Sequence, residues 1–439
     1  MALARQRNSD LETALIEARD HYAAIRPESA RIHVRARGVL PGGNTRSVLF
    51  YTPFPTAMAR GEGCFLEDVD GHRYVDFCGE YTAGLFGHSE LRIQAALHAA
   101  IDRGLNLASV GEREGQLAAL LCARFPSLER VRFTNSGTEA NMMALGAART
   151  FCGRPDILAF RGGYHGGLLT LVGGGSSINA PIPVTLADYN DTEQTIEVLR
   201  KHAGEIGAVI IEPMMGSGGC IPATPEFLVA LRAATREAGI LLIFDEVMTS
   251  RHSSGGLQKL TGVTPDITTL GKYMAGGMSF GAFGGRADLM DLFDGHRPGA
   301  LVHSGTFNNN VMTMAGGVVA MGEIFDAAAA DSLFTRGENL RARLNAICRE
   351  RAVDMHFSGL GSMMQPHFRK GPIERPYAAP PKEEALRELY FFDLMAAEIY
   401  IARRGMIAMS LPIGDAERDR LLAAVDEFCA LCRPFMGMD

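Results

Sequence analysis

Across residues 130–272, short apolar runs alternate with longer amphipathic stretches. The runs are RVRFT (130–134), ILAF (157–160), AVIIE (208–212), ILLIFDE (240–246) and ITTLGK (267–272). Largely apolar strands of this length, separated by helical patterns, predict a mostly parallel sheet covered on both faces, an α/β architecture. In such sheets a ligand lies beyond the carboxyl ends of the strands. Polar residues gather at those ends: Asn135 and Ser136, Tyr164 and His165, Glu212, Asp245 and Glu246, and Lys272. Five predicted strand ends therefore bring chemistry to one edge.

The two ends of the chain carry a different pattern. A charged helical stretch opens the sequence, followed by the turn LPGGN and by GCFLEDVDGHRYVDF, which predicts a hairpin around Asp70-Gly71. The last hundred residues predict a helix (LFTRGENLRARLNAICRERA), strands (VDMHFSGLGSMMQPHF), a Pro-rich loop near 372–381 and more helix. Residues 1–75 and 328–439 are expected to form one smaller α+β domain beside a large domain spanning 76–327.

Composition narrows the function classes. With 439 residues, 47% of them hydrophobic, the chain can bury a large core. A formal charge of -7 argues against nucleic acid and anionic membranes as partners, leaving small molecules. The opening stretch lacks the apolar core of a signal peptide and no window reaches the length of a membrane span, so the cytoplasm is expected. Of eight cysteines only Cys429 and Cys432 stand at C-x-x-C spacing, inside the helical pattern LLAAVDEFCALC, and are expected to be buried thiols. No metal-ligand spacing is present. His88 and His165 read as structural, and Glu67, Asp68 and Asp70 as a solvated turn.

Lys272 is the residue that asks for an explanation. It sits in TTLGKYMAGGMSFGAFGG, a stretch otherwise small, apolar and Gly-rich. It is either a surface lysine beside a flexible loop or a desolvated amine with a lowered pKa, able to form a Schiff base. In VRFTNSGTEANMMALGAAR, Ser136 and Glu139 fit a helix cap. The same turn, with hydroxyls either side of Gly137, also fits a phosphate held on a helix N-terminus. Asp245 directly follows five apolar residues, where a carboxylate needs a cation or hydrogen bonds. A protonated pyridine nitrogen would be such a partner, and Tyr164 could stack on its ring.

The ordered motifs SGTEA (136–140), YHG (164–166), EP (212–213), FDEVMT (244–249), LGK (270–272) and GTFNNN (305–310) resemble the class III aminotransferases, pyridoxal-phosphate enzymes of fold type I. The resemblance runs from about residue 35 to the C-terminus and leans toward the branch of glutamate-1-semialdehyde aminomutase. It implies that Lys272 is the Schiff-base lysine and general acid/base, and Asp245 the partner of the pyridine nitrogen. Ser136, Gly137 and Thr138 would hold the phosphate, Tyr164 and Val247 would cover the ring faces, and Glu212 would lie nearby. Thr306 would reach the phosphate of the neighbouring subunit, implying an obligate two-fold dimer.

Substrate information is expected in PGGNTRSVLFYTPFP (41–55). Arg46 there is either exposed with its stem on apolar surface or a bidentate clamp for a carboxylate. This stretch, with GEYTAGLFGHS and GKYMAGGMSFGAFGG, is similar to β-amino-acid aminotransferases acting on aromatic substrates such as β-phenylalanine. That similarity makes Arg46 the carboxylate clamp. It makes Arg404, in YIARRGMIAMSLP, the arginine for the carboxylate of the acceptor, an α-keto acid such as 2-oxoglutarate or pyruvate, with Arg403 the neighbouring alternative. An intramolecular aminomutase, or another ω-aminotransferase, is the other reading.

Overall fold

The structure is a computed structural model that describes residues 10–437. The first nine residues of the predicted N-terminal helix lie outside the described residues; the helix itself spans Leu11–Ala24, with Asp10 as its cap.

A seven-stranded sheet occupies the middle of the chain: β1 (Arg130–Thr134), β2 (Asp156–Phe160), β3 (Val184–Ala187), β4 (Ile206–Ile211), β5 (Leu241–Asp245), β6 (Ile267–Gly271) and β7 (Gly281–Gly285). Its order is β1-β7-β6-β5-β4-β2-β3. The pairs from β6 through β3 are parallel, and β7 runs antiparallel to both β6 and β1. Every residue of β4, β5 and β6 is buried, as expected for strands covered on both faces. The five predicted strands are all present. The sheet and its covering helices are α/β, in agreement with the expected class.

β7 was hidden in the Gly-rich stretch. It forms a strand because its glycines admit neighbouring backbone: a Cβ on Gly281 would stand 2.1 Å from the Ser136 carbonyl oxygen, and one on Gly284 2.4 Å from that of Arg130. The stretch is therefore a tightly packed strand and not a flexible loop.

The predicted hairpin is formed by Phe65–Asp68 and Arg73–Asp76, with Gly71 at φ 88. Ile399–Tyr400 adds to it in parallel, so residues from the two chain ends share one sheet. Tyr51 and Phe54 pack with Tyr22 and with Phe391 and Phe392 of the helix Pro381–Ala396. Tyr51 and Phe54 of the apolar segment after Arg46 are thus core while Val48 and Phe50 are exposed, and burying those two rings anchors the loop that carries the arginine.

Of the acidic cluster, Glu67 is a surface residue paired with the exposed Arg60, but Asp68 and Asp70 do not form a solvated turn. Asp68 is 2% exposed, accepts from the Tyr74 hydroxyl at 2.6 Å and lies 3.6 Å from Arg26 Nε. Asp70 accepts from the backbone N–H groups of Glu28 and Ser29 at the start of the helix Pro27–Arg37. A buried carboxylate paired in this way fixes the hairpin to that helix. Cys429 and Cys432 are buried in the helix Asp415–Met436, as expected. Among the described residues no single helix is long and apolar enough to cross a membrane, and no cluster of His, Cys, Asp or Glu could hold a metal ion.

Candidate active site

The turn after β1 leads into the helix Gly137–Cys152. Ser136 caps it, accepting from the Glu139 N–H at 3.2 Å, while Glu139 accepts from the Asn135 N–H at 2.8 Å. The N–H groups of the first turn are left pointing outward with the positive end of the dipole, an arrangement that suits an anion. Two close approaches shape this cradle. A Cβ on Gly137 would meet the Val247 methyls at 2.8 and 2.9 Å, and one on Gly166 would meet Thr138 Oγ1 at 2.3 Å. Gly167 also donates to Thr138 Oγ1 at 3.2 Å. The turns after β1, β2 and β5 therefore interlock around one point.

Asp245 ends β5 and is 4% exposed. Asn141 donates to its Oδ2 at 2.8 Å, His165 Nδ1 lies 2.8 Å from the same oxygen, and the Val247 N–H donates to Oδ1 at 3.1 Å. Thr269 on β6 donates to Asn141, and Asn141 also donates to the His165 carbonyl. Three elements thus aim the carboxylate. Neither Asn141 nor a partnership of His165 with Asp245 was foreseen; both are made by chain segments at least 80 residues from Asp245 or hidden in a helical pattern, so local spacing carried no signal.

Glu212 follows β4, accepting from the Tyr164 N–H and the Gly216 N–H, each at 2.9 Å. Burial pushes its pKa up to about 7, the nearby Asp245 carboxylate adds to the rise, and His165 opposes it. Tyr164 is held by this backbone bond with its residue 39% exposed, so its ring is available to a ligand.

Lys272 follows β6 with φ 63, a left-handed conformation that is uncommon for a residue with a side chain. Burial, then the positive charges of Arg404 and Arg46, lower its amine pKa to about 8 against the opposing pull of Glu80 and Asp245. The other four lysines, Lys201, Lys259, Lys370 and Lys382, are exposed. With only five lysines in the chain, their count was itself a signal in the sequence. Lys272 itself is half-buried, and its lowered pKa favours the desolvated reading.

Arg46 and Arg404 come from opposite ends of the chain to a shared neighbour. Their guanidinium carbons stand 5.4 and 5.3 Å from the centre of the Tyr81 ring, within cation–π range. Arg46 also forms an ion pair with Glu80. Arg404 has no carboxylate partner among the described residues, and its buried Nε lacks a hydrogen-bond partner. Arg403 instead donates to Glu388 at 2.8 Å, away from this group. Thr306 is exposed, in the segment 305–310 whose Asn308 accepts from Asn135 Nδ2 at 3.0 Å. Tyr81 and Glu80 were not singled out from the sequence.

Residues 50–379 match the class-III aminotransferase family, and the chain belongs to it. It is a transaminase, and like the family it depends on pyridoxal 5'-phosphate, with the α/β fold of the fold type I enzymes. The chain is 49% identical over 418 residues to a β-phenylalanine transaminase of Variovorax paradoxus, covering 95% of this chain and 96% of that one. The solved structure of a β-phenylalanine aminotransferase from Variovorax paradoxus superposes with a TM-score of 0.95 at 48% identity, over 98% and 99% of the two chains. A transaminase solved with pyridoxal phosphate bound gives 0.84 at 32% identity, over 92% and 97%. A glutamate-1-semialdehyde 2,1-aminomutase of Methanothermobacter thermautotrophicus is 35% identical over 387 residues, 85% of this chain and 91% of that one.

Proposed function

We propose that the protein moves the amino group of a β-amino acid, an aromatic one such as β-phenylalanine, to an α-keto acid, 2-oxoglutarate or pyruvate. The observation that carries this is the placement of two arginines over Tyr81 in the electrostatic field of Lys272, one of them without a carboxylate of its own. The similarity to the Variovorax enzyme supports the same reading.

The interlocked turns fit the cofactor: a cradle a Cβ would fill, an anion site on a helix N-terminus, and a buried, well-hydrogen-bonded carboxylate. Ser136, Gly137 and Thr138 would hold its phosphate, Asp245 its ring nitrogen, and Tyr164 and Val247 its two faces. Glu212 would stand beside it. Lys272 would tether it. When bound, pyridoxal phosphate supplies an aldehyde carbon to carry the amino group and a ring that withdraws electrons from the substrate carbon.

Lys272 then acts a second time. With its pKa lowered to about 8, a useful fraction of the freed amine is neutral near physiological pH, and Nζ takes the proton from the substrate carbon bearing nitrogen. Asn141 and His165 hold the carboxylate of Asp245 in place during that transfer. Arg46 binds the carboxylate that a β-amino acid holds one carbon further from its amine than an α-amino acid does, and Arg404 binds that of the acceptor. The products are a β-keto acid and an α-amino acid. The reading includes a cytoplasmic homodimer in which Thr306 reaches the cofactor of the partner subunit, and a small domain of 1–75 and 328–439 beside 76–327.

The test is Arg46→Ala. The loss in kcat/KM for β-phenylalanine should exceed that for a simple amine by roughly 1.5–3 kcal/mol, the worth of a hydrogen bond to a charged group. Equal losses would remove Arg46 from the substrate site. Turnover with an external keto acid separates this reading from an intramolecular aminomutase, which needs none.

A further inference from the structure

Arg46 is already occupied. Its guanidinium is ion-paired with Glu80, whose side chain is 57% exposed. Burial alone would lower the arginine's pKa, yet Glu80, with smaller contributions from Tyr81 and Cys78, brings it up. Glu80 also acts on Lys272, pulling its pKa upward, so the carboxylate lies within the field of the reacting amine.

The backbone spends strain to put it there. Gly79, Glu80, Tyr81 and Thr82 have φ values of 52, 46, 53 and 82, four successive residues in the left-handed region, three of them with side chains. The surroundings enforce this run. Asp76 Oδ1 accepts from the N–H groups of Cys78 and Gly79 at 2.9 and 3.0 Å, and the Gly84 N–H donates to the Gly79 carbonyl at 2.9 Å. The fully buried Arg251 donates to the Thr82 carbonyl at 3.4 Å, and a Cβ on Gly79 would stand 2.7 Å from the Ala408 carbonyl oxygen. Tyr81 is thereby fixed under both arginines, and Glu80 at the tip of one. A cavity of about 430 Å³, lined by Asn44, Leu49, Met58 and Tyr400 among others, also has Glu80 in its wall.

Resting on the reading of Arg46 as the clamp, we propose that Glu80 is a specificity-determining residue: an internal carboxylate that neutralises Arg46 until the substrate carboxylate displaces it. Two consequences have opposite signs. A carboxylate substrate must compete with Glu80, so its binding is weakened. An amine without a carboxylate leaves the Arg46–Glu80 pair intact, so it does not face an uncompensated cation beside its own ammonium. Glu80 therefore narrows the gap between the two substrate types, which is control of specificity through the competing state.

Glu80→Gln keeps the shape and removes the charge. In the holoenzyme it should tighten binding of 3-phenylpropanoate, measured by calorimetry, by about three- to tenfold, and raise KM for 1-phenylethylamine. In an Arg46→Ala background the gain in 3-phenylpropanoate affinity should vanish. A structural role for Glu80 would move both substrates the same way and would overturn the proposal. If Arg46→Ala weakens 3-phenylpropanoate but Glu80→Gln leaves it unchanged or weaker, Glu80 is not the gate while Arg46 remains the clamp. If neither variant alters binding, both assignments fail.

Discussion

The lowered pKa of Lys272 has a stability consequence that can be measured without any substrate. Burial and two guanidinium groups take the amine from its ordinary 10.5 to about 8. Holding it charged in the folded apoprotein then costs at most about 3.5 kcal/mol, since each pKa unit is worth about 1.4 kcal/mol. Lys272→Met keeps an unbranched stem, shares the same left-handed backbone and removes the charge. Below the folded pKa the lysine is protonated in both states and the cost is fully present. Between about pH 8 and the ordinary value of the unfolded chain the unfolded state holds the extra proton, so wild-type stability climbs as pH rises and the advantage of methionine shrinks. Urea unfolding of the two apoproteins near neutral pH and near pH 9.5 should show the advantage falling by about 2 kcal/mol. An advantage that does not change with pH would mean that the amine is not desolvated, and the electrostatic argument for its role would fail.

Two further substitutions probe the cradle. Gly137→Ala forces a methyl against both methyls of Val247 and should cost the holoenzyme about 1–3 kcal/mol of cofactor affinity, measured by fluorescence titration. Adding Val247→Ala should restore most of it, whereas equal losses in the single and double variants would show that the two side chains do not compete for one space. Asp245→Asn strands a buried donor in either amide orientation, because Asn141, His165 and the Val247 N–H surround both oxygens. The apoprotein should lose about 1–3 kcal/mol in unfolding free energy; unchanged stability would contradict the hydrogen-bond assignment.

Much of this fold was legible because the buried strands write it directly. Runs such as ILLIFDE cannot be satisfied except by cover on both faces, and their polar ends mark the ligand edge. β3 escaped notice because VTLA is only four residues long, and β7 because GAFGG has too little side chain to show a pattern; its stability comes from backbone approach by Ser136 and Arg130. At the site, Asp245, Lys272 and the 136–138 turn stand in local patterns that chemistry makes unusual. Asn141, His165, Glu80 and Tyr81 do not, since each acquires its role only when distant segments meet. Asp68 and Asp70 show the converse: acidic residues beside a turn look solvated until Arg26, Tyr74 and the helix Pro27–Arg37 are folded against them.

Tethering of the cofactor at Lys272 is tested most directly by reducing the yellow holoenzyme with borohydride and mapping the modified peptide by mass spectrometry. The chain offers five lysines, so the outcome is unambiguous. A pyridoxyl group on Lys272, absent from Lys272→Ala, is the predicted result. The same group on Lys201, Lys259, Lys370 or Lys382 would contradict it, and with it the site built around Asp245.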